Sequence, residues 1–119
     1  MHGCGKALIA FLPEGELNYL IREHGLPRHN EKTITSSMRL KEELARVRRL
    51  GYAFDDEEDE IGLRCIGAPV FEQAGKVVAS VSVAGTVRQI HPQNRRLIAE
   101  QVQQTASRIS HELGFGHDD

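Results

Sequence analysis

The chain has no tryptophan, only two cysteines, and no apolar run near the length that crosses a membrane. Cys4 and Cys65 lie far apart and form no CxxC pair, which argues against a disulfide framework and against a closed zinc site. The opening MHGCGKALIAFL lacks the basic segment and small-residue cleavage site of a secretory signal. A basic excess is missing too: 15 Lys and Arg stand against 17 Asp and Glu, for a net charge of −2. A nucleic-acid-binding domain normally carries a basic face and a high pI. The clusters Arg46, Arg48, Arg49 and Arg95, Arg96 sit beside acidic residues on predicted helices and read as solvated faces. This chain by itself is therefore not expected to bind DNA. Nor is there an internal repeat or a low-complexity tract. With 39% hydrophobic and 27% charged residues, what remains is one ordinary globular domain, cytoplasmic and reduced.

What is present alternates between helical and strand patterns. Gly5 to Leu12 reads as a short apolar helix ended by Pro13, which suits the first turn of a second helix over Glu14 to Glu23. Leu17, Leu20 and Ile21 give that second helix one apolar face. The Gly, Pro, Asn and Thr residues from Gly25 to Ser36 mark a loop, with a short extended piece at Thr33–Thr35. Ser36 and Ser37 are candidate caps for a helix to Leu50, whose Leu40, Leu44 and Val47 follow helical spacing and whose end is set by Gly51. Tyr52–Phe54 reads as a strand. Leu63–Phe71 and Lys76–Ala84 read as a hairpin turning at Gln73–Gly75, with Pro69 marking an interruption or an edge. Period two puts Leu63, Cys65 and Gly67 on one face, and Val78, Ser80, Ser82 and Ala84 on another. A last helix opens at Pro92 with His91 as its cap. It carries the stripe Ile98, Val102, Thr105, Ile109, Leu113 and stops at Gly114. Helices packed against an antiparallel hairpin make an α+β domain.

Several groups carry possible chemistry. In His2-Gly3-Cys4-Gly5-Lys6 the glycines allow close backbone approach, and the following helix directs free N–H groups toward an anion. The run is not a P-loop: no Gly lies five residues before Gly5, and Ala7 stands where magnesium would need a hydroxyl. The six carboxylates from Asp55 to Glu60 lack the alternation and central Gly of a calcium loop and read as a solvated turn. Asp55 is the exception, since it follows a strand directly and is expected to turn inward and accept hydrogen bonds. Cys65 reads as a small buried hydrophobe rather than a nucleophile, because nucleophilic catalysis needs a base aimed at it and, of the six scattered histidines, only His2 has a motif-based reason to lie near it. A zinc site from His2, Cys4 and Cys65 is the weaker alternative. Ser80 and Ser82 interrupt an apolar strand on one face, and a buried hydroxyl needs a partner. For Ser82 a cavity is the expected setting.

Taken together, GKALIAFLPEGEL, the loop ending in TIT, LKEELARVRRLGYAFDDEEDEIGLRCIGAPVF, GKVVASVSVAG and the closing amphipathic helix resemble the effector-binding domain of the IclR family of bacterial transcriptional regulators. The resemblance implies a GAF-like fold, an antiparallel sheet with helices on its faces and a pocket on one side. It implies that residues 1–119 are a single, partial effector-binding domain, without the family's winged helix-turn-helix, linker helix or first strands. Such a fragment is expected to expose a sheet edge and to associate or swap elements. The same resemblance places Gly3 and Cys4 where backbone N–H groups bind an effector carboxylate, and Asp55, Cys65 and Ser82 at side-chain positions lining the pocket. Cys4 replaces a small alanine, which narrows the pocket, and Ala84 stands where one branch has a second serine, which favours a less polar effector. The implied partners are a small carboxylic or aromatic acid and further copies in a homodimer or tetramer. DNA is reached only through the absent N-terminal domain. No membrane, cofactor or metal is called for. Two other functions compete: a cysteine-dependent enzyme using Cys4 and Cys65, and an oligomerisation module with a vestigial pocket.

Overall fold

The computed structural model describes residues 3–24, 37–57 and 61–116, with main chain only at 3, 4, 21, 24 and 37. Its elements are α1 (Gly3–Ile9), α2 (Glu14–His24), α3 (Ser37–Leu50), β1 (Ala53–Asp56), β2 (Leu63–Phe71), β3 (Val77–Thr86) and α4 (Arg95–Glu112). The strands form an antiparallel sheet in the order β1-β2-β3, the α+β arrangement read from the sequence. α1 lies toward one face and contacts all three strands, while α4 packs on β2 and β3. The expected cap at Ser36 and the extended piece at 33–35 fall outside the described residues, while Ser37, the other candidate cap, is the first residue of α3.

Local chemistry sets the element ends. α1 begins two residues before the expected Gly5 and ends at Ile9, short of Leu12, the residue before Pro13, which avoids helical backbone. The chain instead leaves α1 through Ala10 N–H to Lys6 O (3.0 Å) and Leu12 N–H to Ile9 O (3.2 Å). Pro13 then contributes only its carbonyl, which accepts from Leu17 N–H at 3.1 Å. In α3 the expected stripe Leu40, Leu44, Val47 is buried. Gly51 closes α3 with φ +83° and donates to Val47 O at 2.8 Å. The β2–β3 hairpin turns through Gly75 at φ +86°, with Glu72 N–H on Lys76 O and Gly75 N–H on Glu72 O, both 2.9 Å.

Two clusters make the core. Ala7, Ala10, Leu17, Leu40, Leu44, Val47 and Ala53 form one, between α1, α2, α3 and β1. Ile66, Ala68, Val70, Ile90, Ala99, Val102 and Ala106 form the other, between β2 and α4. Here the expected stripe of α4 is corrected. Val102 is buried and Ile98 packs against the cluster, but Ile109 and Leu113 are 41% and 48% exposed. The buried face is Ala99, Val102, Ala106 and Ser110. Small side chains let the helix axis come close to the sheet, and the bulkier apolar residues are displaced to its flank. Ser110 is paired on both sides: its hydroxyl donates to Ala106 O (2.9 Å) and accepts from Phe71 N–H (3.0 Å). The start of α4 is also corrected. His91 to Asn94 form a turn, closed by His91 N–H on Asn94 Oδ1 (2.8 Å), and the cap position falls on Asn94.

A buried cation joins the two sides of the first cluster. Lys6 has no exposed surface, and its Nζ donates to Phe54 O at 2.8 Å and lies 3.4 Å from Glu43 Oε1. α1 is thereby pinned to β1 and to α3 at one point. On the opposite side of the same residue, the Arg95 guanidinium sits 4.5 Å from the centroid of the Phe54 ring. Arg64 fixes the connection after β3, with Nη1 on Ile90 O (2.8 Å) and Nε on Asp56 Oδ1 (2.9 Å). No helix among the described residues is long and apolar enough to cross a membrane.

Two stability predictions follow from this packing. Lys6→Met, which keeps length but removes the donor, leaves buried acceptors unpaired and lowers unfolding free energy by about 1–3 kcal/mol; urea midpoints at unchanged m-value check it. At Gly51 an added Cβ lies 2.8 Å from Gln103 Nε2, on top of the positive φ. Gly51→Ala is expected to cost about 1–2 kcal/mol for the backbone alone, plus a clash that the Gly51→Ala/Gln103→Ala double variant relieves. Equal losses in the single and double variants would rule the clash out.

Candidate functional site

Strand pairing assembles the site. Asp55 on β1 stands opposite Cys65 on β2, which stands opposite Ala84 on β3. One step along, Ala53, Gly67 and Ser82 form a second row. Alternation places both rows on one sheet face, because each pair of neighbours along a strand differs by two. Phe54, Ile66, Val81 and Ala68 belong to the cluster on the other face, with α4. The site rows therefore face the α1 side, where α1 contacts every strand.

The chemistry of this face is a small-residue floor with one acid and one thiol. Ala53 and Gly67 are buried, while Ser82 and Ala84 on the outer strand are exposed. Asp55 is 3% exposed and Cys65, which forms no disulfide, is 8% exposed. The acidic run divides as expected: Asp55 turns inward, while its neighbour Asp56 is exposed and bonded to Arg64. Glu57 adopts φ +61°, donates its N–H to Leu63 O at 3.0 Å and accepts Gly62 N–H on Oε1 at 2.8 Å, which ties the end of β1 to the start of β2. Ser82 shares the face but is exposed, not enclosed, because β3 is the outer strand of the described sheet and is buried only at Val77. Gly3 and Cys4 form the first turn of α1; the Cys4 side chain lies outside the described residues. Among the described residues no cluster of three or more His, Cys, Asp and Glu stands ready for a metal; His2 and the Cys4 thiol, named for a zinc site, are not among them.

One residue of this region was not singled out as a side chain in the sequence. Lys6 holds the carbonyl of Phe54, the residue immediately before Asp55, and so fixes where β1 presents its carboxylate. The available signal was spacing: Lys6 lies one turn before Ala10 and beside Ala7, on a face that is otherwise apolar.

Comparison with known proteins gives this arrangement a family. The profile described as "Bacterial transcriptional regulator IclR C-terminal" matches residues 1–111. The transcriptional repressor IclR of Escherichia coli K12 is 40% identical over 88 residues, 74% of this chain and 32% of the repressor. The crystal structure of Thermotoga maritima IclR superposes with a TM-score of 0.92 at 37% identity, over 96% of this chain and 46% of that one. The inducer-binding domain of the Acinetobacter transcription factor PobR, a double mutant in complex with 3-hydroxybenzoic acid, gives 0.83 at 27% identity, over 91% and 62%. The chain spans less than half the length of the curated relatives it matches, 32% to 44% for five of them. With the profile covering nearly its whole length, the chain belongs to the IclR family of bacterial transcriptional regulators, as a counterpart of their C-terminal domain.

Proposed function

We propose that this chain is the effector-sensing and oligomerisation part of an IclR-type regulator, acting in the cytoplasm on DNA through an attached winged helix-turn-helix. In this reading residues 1–119 are one partial effector-binding domain. The observation that carries it is the buried Asp55 directly opposite Cys65, over a floor of small residues, on the face where α1 lies. Backbone N–H groups of Gly3 and Cys4 hold the effector's carboxylate. Asp55 accepts a hydrogen bond from a hydroxyl at the far end, where it is separated from the ligand's own charge. Cys65 and Ser82 line the space between. Ala84, opposite Cys65, offers no hydroxyl, which favours an aromatic or larger carboxylic acid over a two- or three-carbon oxo acid. The ligand is bound and released, not turned over, and ligation acts by favouring one arrangement of protomers over another. The double mutant of the PobR inducer-binding domain, related in sequence and shape and held in a complex with 3-hydroxybenzoic acid, supports a hydroxylated aromatic acid as the first probe.

Thermal unfolding against a panel of oxo, sugar and aromatic acids tests the reading. A ligand at 100 times its dissociation constant adds about 2.7 kcal/mol, several degrees in a domain of this size. For 3-hydroxybenzoate, Ser82→Ala and Asp55→Asn are expected to weaken binding about tenfold each, with benzoate showing the smaller effect of Asp55→Asn. Proton NMR of the incubated acid is expected to show it unchanged. Consumption that Cys65→Ser abolishes would favour an enzyme, and no shift with any acid would favour a module that only assembles. Light scattering is expected to give a mass above that of one chain.

A further inference from the structure

The sheet has a second open side, away from the Asp55–Cys65 row. β1 ends its pairing at Ala53 opposite Gly67, so from Ala68 onward β2 has no strand beside it on that edge among the described residues. The edge needs none: Pro69 has no N–H to donate, and Phe71 gives its N–H to Ser110. Along it runs a groove of about 360 Å³, near the lower end of the size that holds small ligands.

Its walls differ in character. One is aromatic: Phe11 meets Phe71 edge-on at 5.2 Å, and Phe71 meets the tilted ring of Phe115 at 5.1 Å. Phe115 is brought there by Gly114 and Gly116, both at positive φ. The other wall is polar. Arg48 uses Nη1 on Ala10 O (2.9 Å), and its guanidinium has further donors. Gln103 gives Nε2 to Leu50 O (3.2 Å), and Ser107 is exposed beside it. Among the described residues no side chain lining the groove is acidic, so Arg48 brings a positive charge to it beside the rings.

We propose that this groove is a second small-molecule site, selective for a compact aromatic carboxylate whose ring lies against Phe71 and Phe115 and whose carboxylate meets Arg48. It is separate from the proposed effector site and does not depend on it. The aromatic wall supplies area, and the fork of Arg48 supplies charge-assisted hydrogen bonds that an uncharged analogue forgoes.

Titration of the ¹⁵N-labelled chain with benzoate, and separately with benzamide, tests it by amide shifts. Saturable shifts at Gly51, Phe71 and Phe115 are expected for benzoate, with a Kd on the order of 1 mM as befits a one-ring ligand. Benzamide is expected to bind about tenfold more weakly at those amides. Phe115→Ala, at a half-exposed ring, and Arg48→Met are each expected to remove most of the benzoate response there. Benzamide equal to benzoate, absence of saturable shifts at the three amides, or an unchanged response in both variants overturns the proposal. Shifts confined to Phe54, Asp55, Cys65 and Ser82 overturn it while favouring the effector site. Shifts confined to the groove support it while counting against that other reading.

Discussion

A single buried ammonium decides how this fold is put together. Lys6 has no surface, and a buried cation persists only when its hydrogen bonds are made within the protein. The partners are a main-chain carbonyl on β1 and a carboxylate on α3. α1 is only seven residues long, too short to be stable by itself. Of its apolar residues only the small Ala7 is fully buried, with Ile9 partly so, and apolar contact alone specifies its position loosely. The ammonium specifies it closely, because displacement by an ångström or two breaks the contact to Phe54. The location of β1 relative to α1, and hence of Asp55 beneath the helix, descends from that requirement.

The second constraint is close approach. α4 meets the sheet through Ala99, Ala106 and Ser110, and α1 through Ala7 and Ala10. Helices held this near their sheet have little freedom to move outward without losing dispersion contacts across the whole interface. Phe54 joins the layers directly. Its carbonyl is bound from the α1 side and its ring is covered by Arg95 from the α4 side. Asp55 is the next residue, so the site rests on the most tightly braced point of β1.

Much of this was legible in the sequence, and the exceptions have physical causes. The α3 stripe was readable because large side chains at helical spacing are the ones that bury. The α4 stripe misled for the opposite reason: the residues in the interface are small, and apolar periodicity weights size. The two-residue period sorted the side chains within each strand, but grouping Asp55, Cys65 and Ser82 came from the family resemblance, and the strand register then puts them on one face. It could not show that Ser82 is exposed, which depends on the strand order. Nor could spacing bring the glycine-rich start over the hairpin; that came only from the family resemblance. The burial of Lys6 was hidden because lysine on a short helix is ordinarily solvated.

The edges of the sheet are unequal, and this sets the direction in which it can grow. On the β2 side, Pro69 and the Phe71–Ser110 bond leave no ladder to join, and β1 is four residues long and ends in carboxylates. β3 runs ten residues from Val77 to Thr86 without a charge, a proline or a described outer neighbour. The sheet is thus a template with one working margin. Within the described sheet, Val77–Thr86 is the long unbroken ladder open to a further strand, so lateral growth has a built-in polarity.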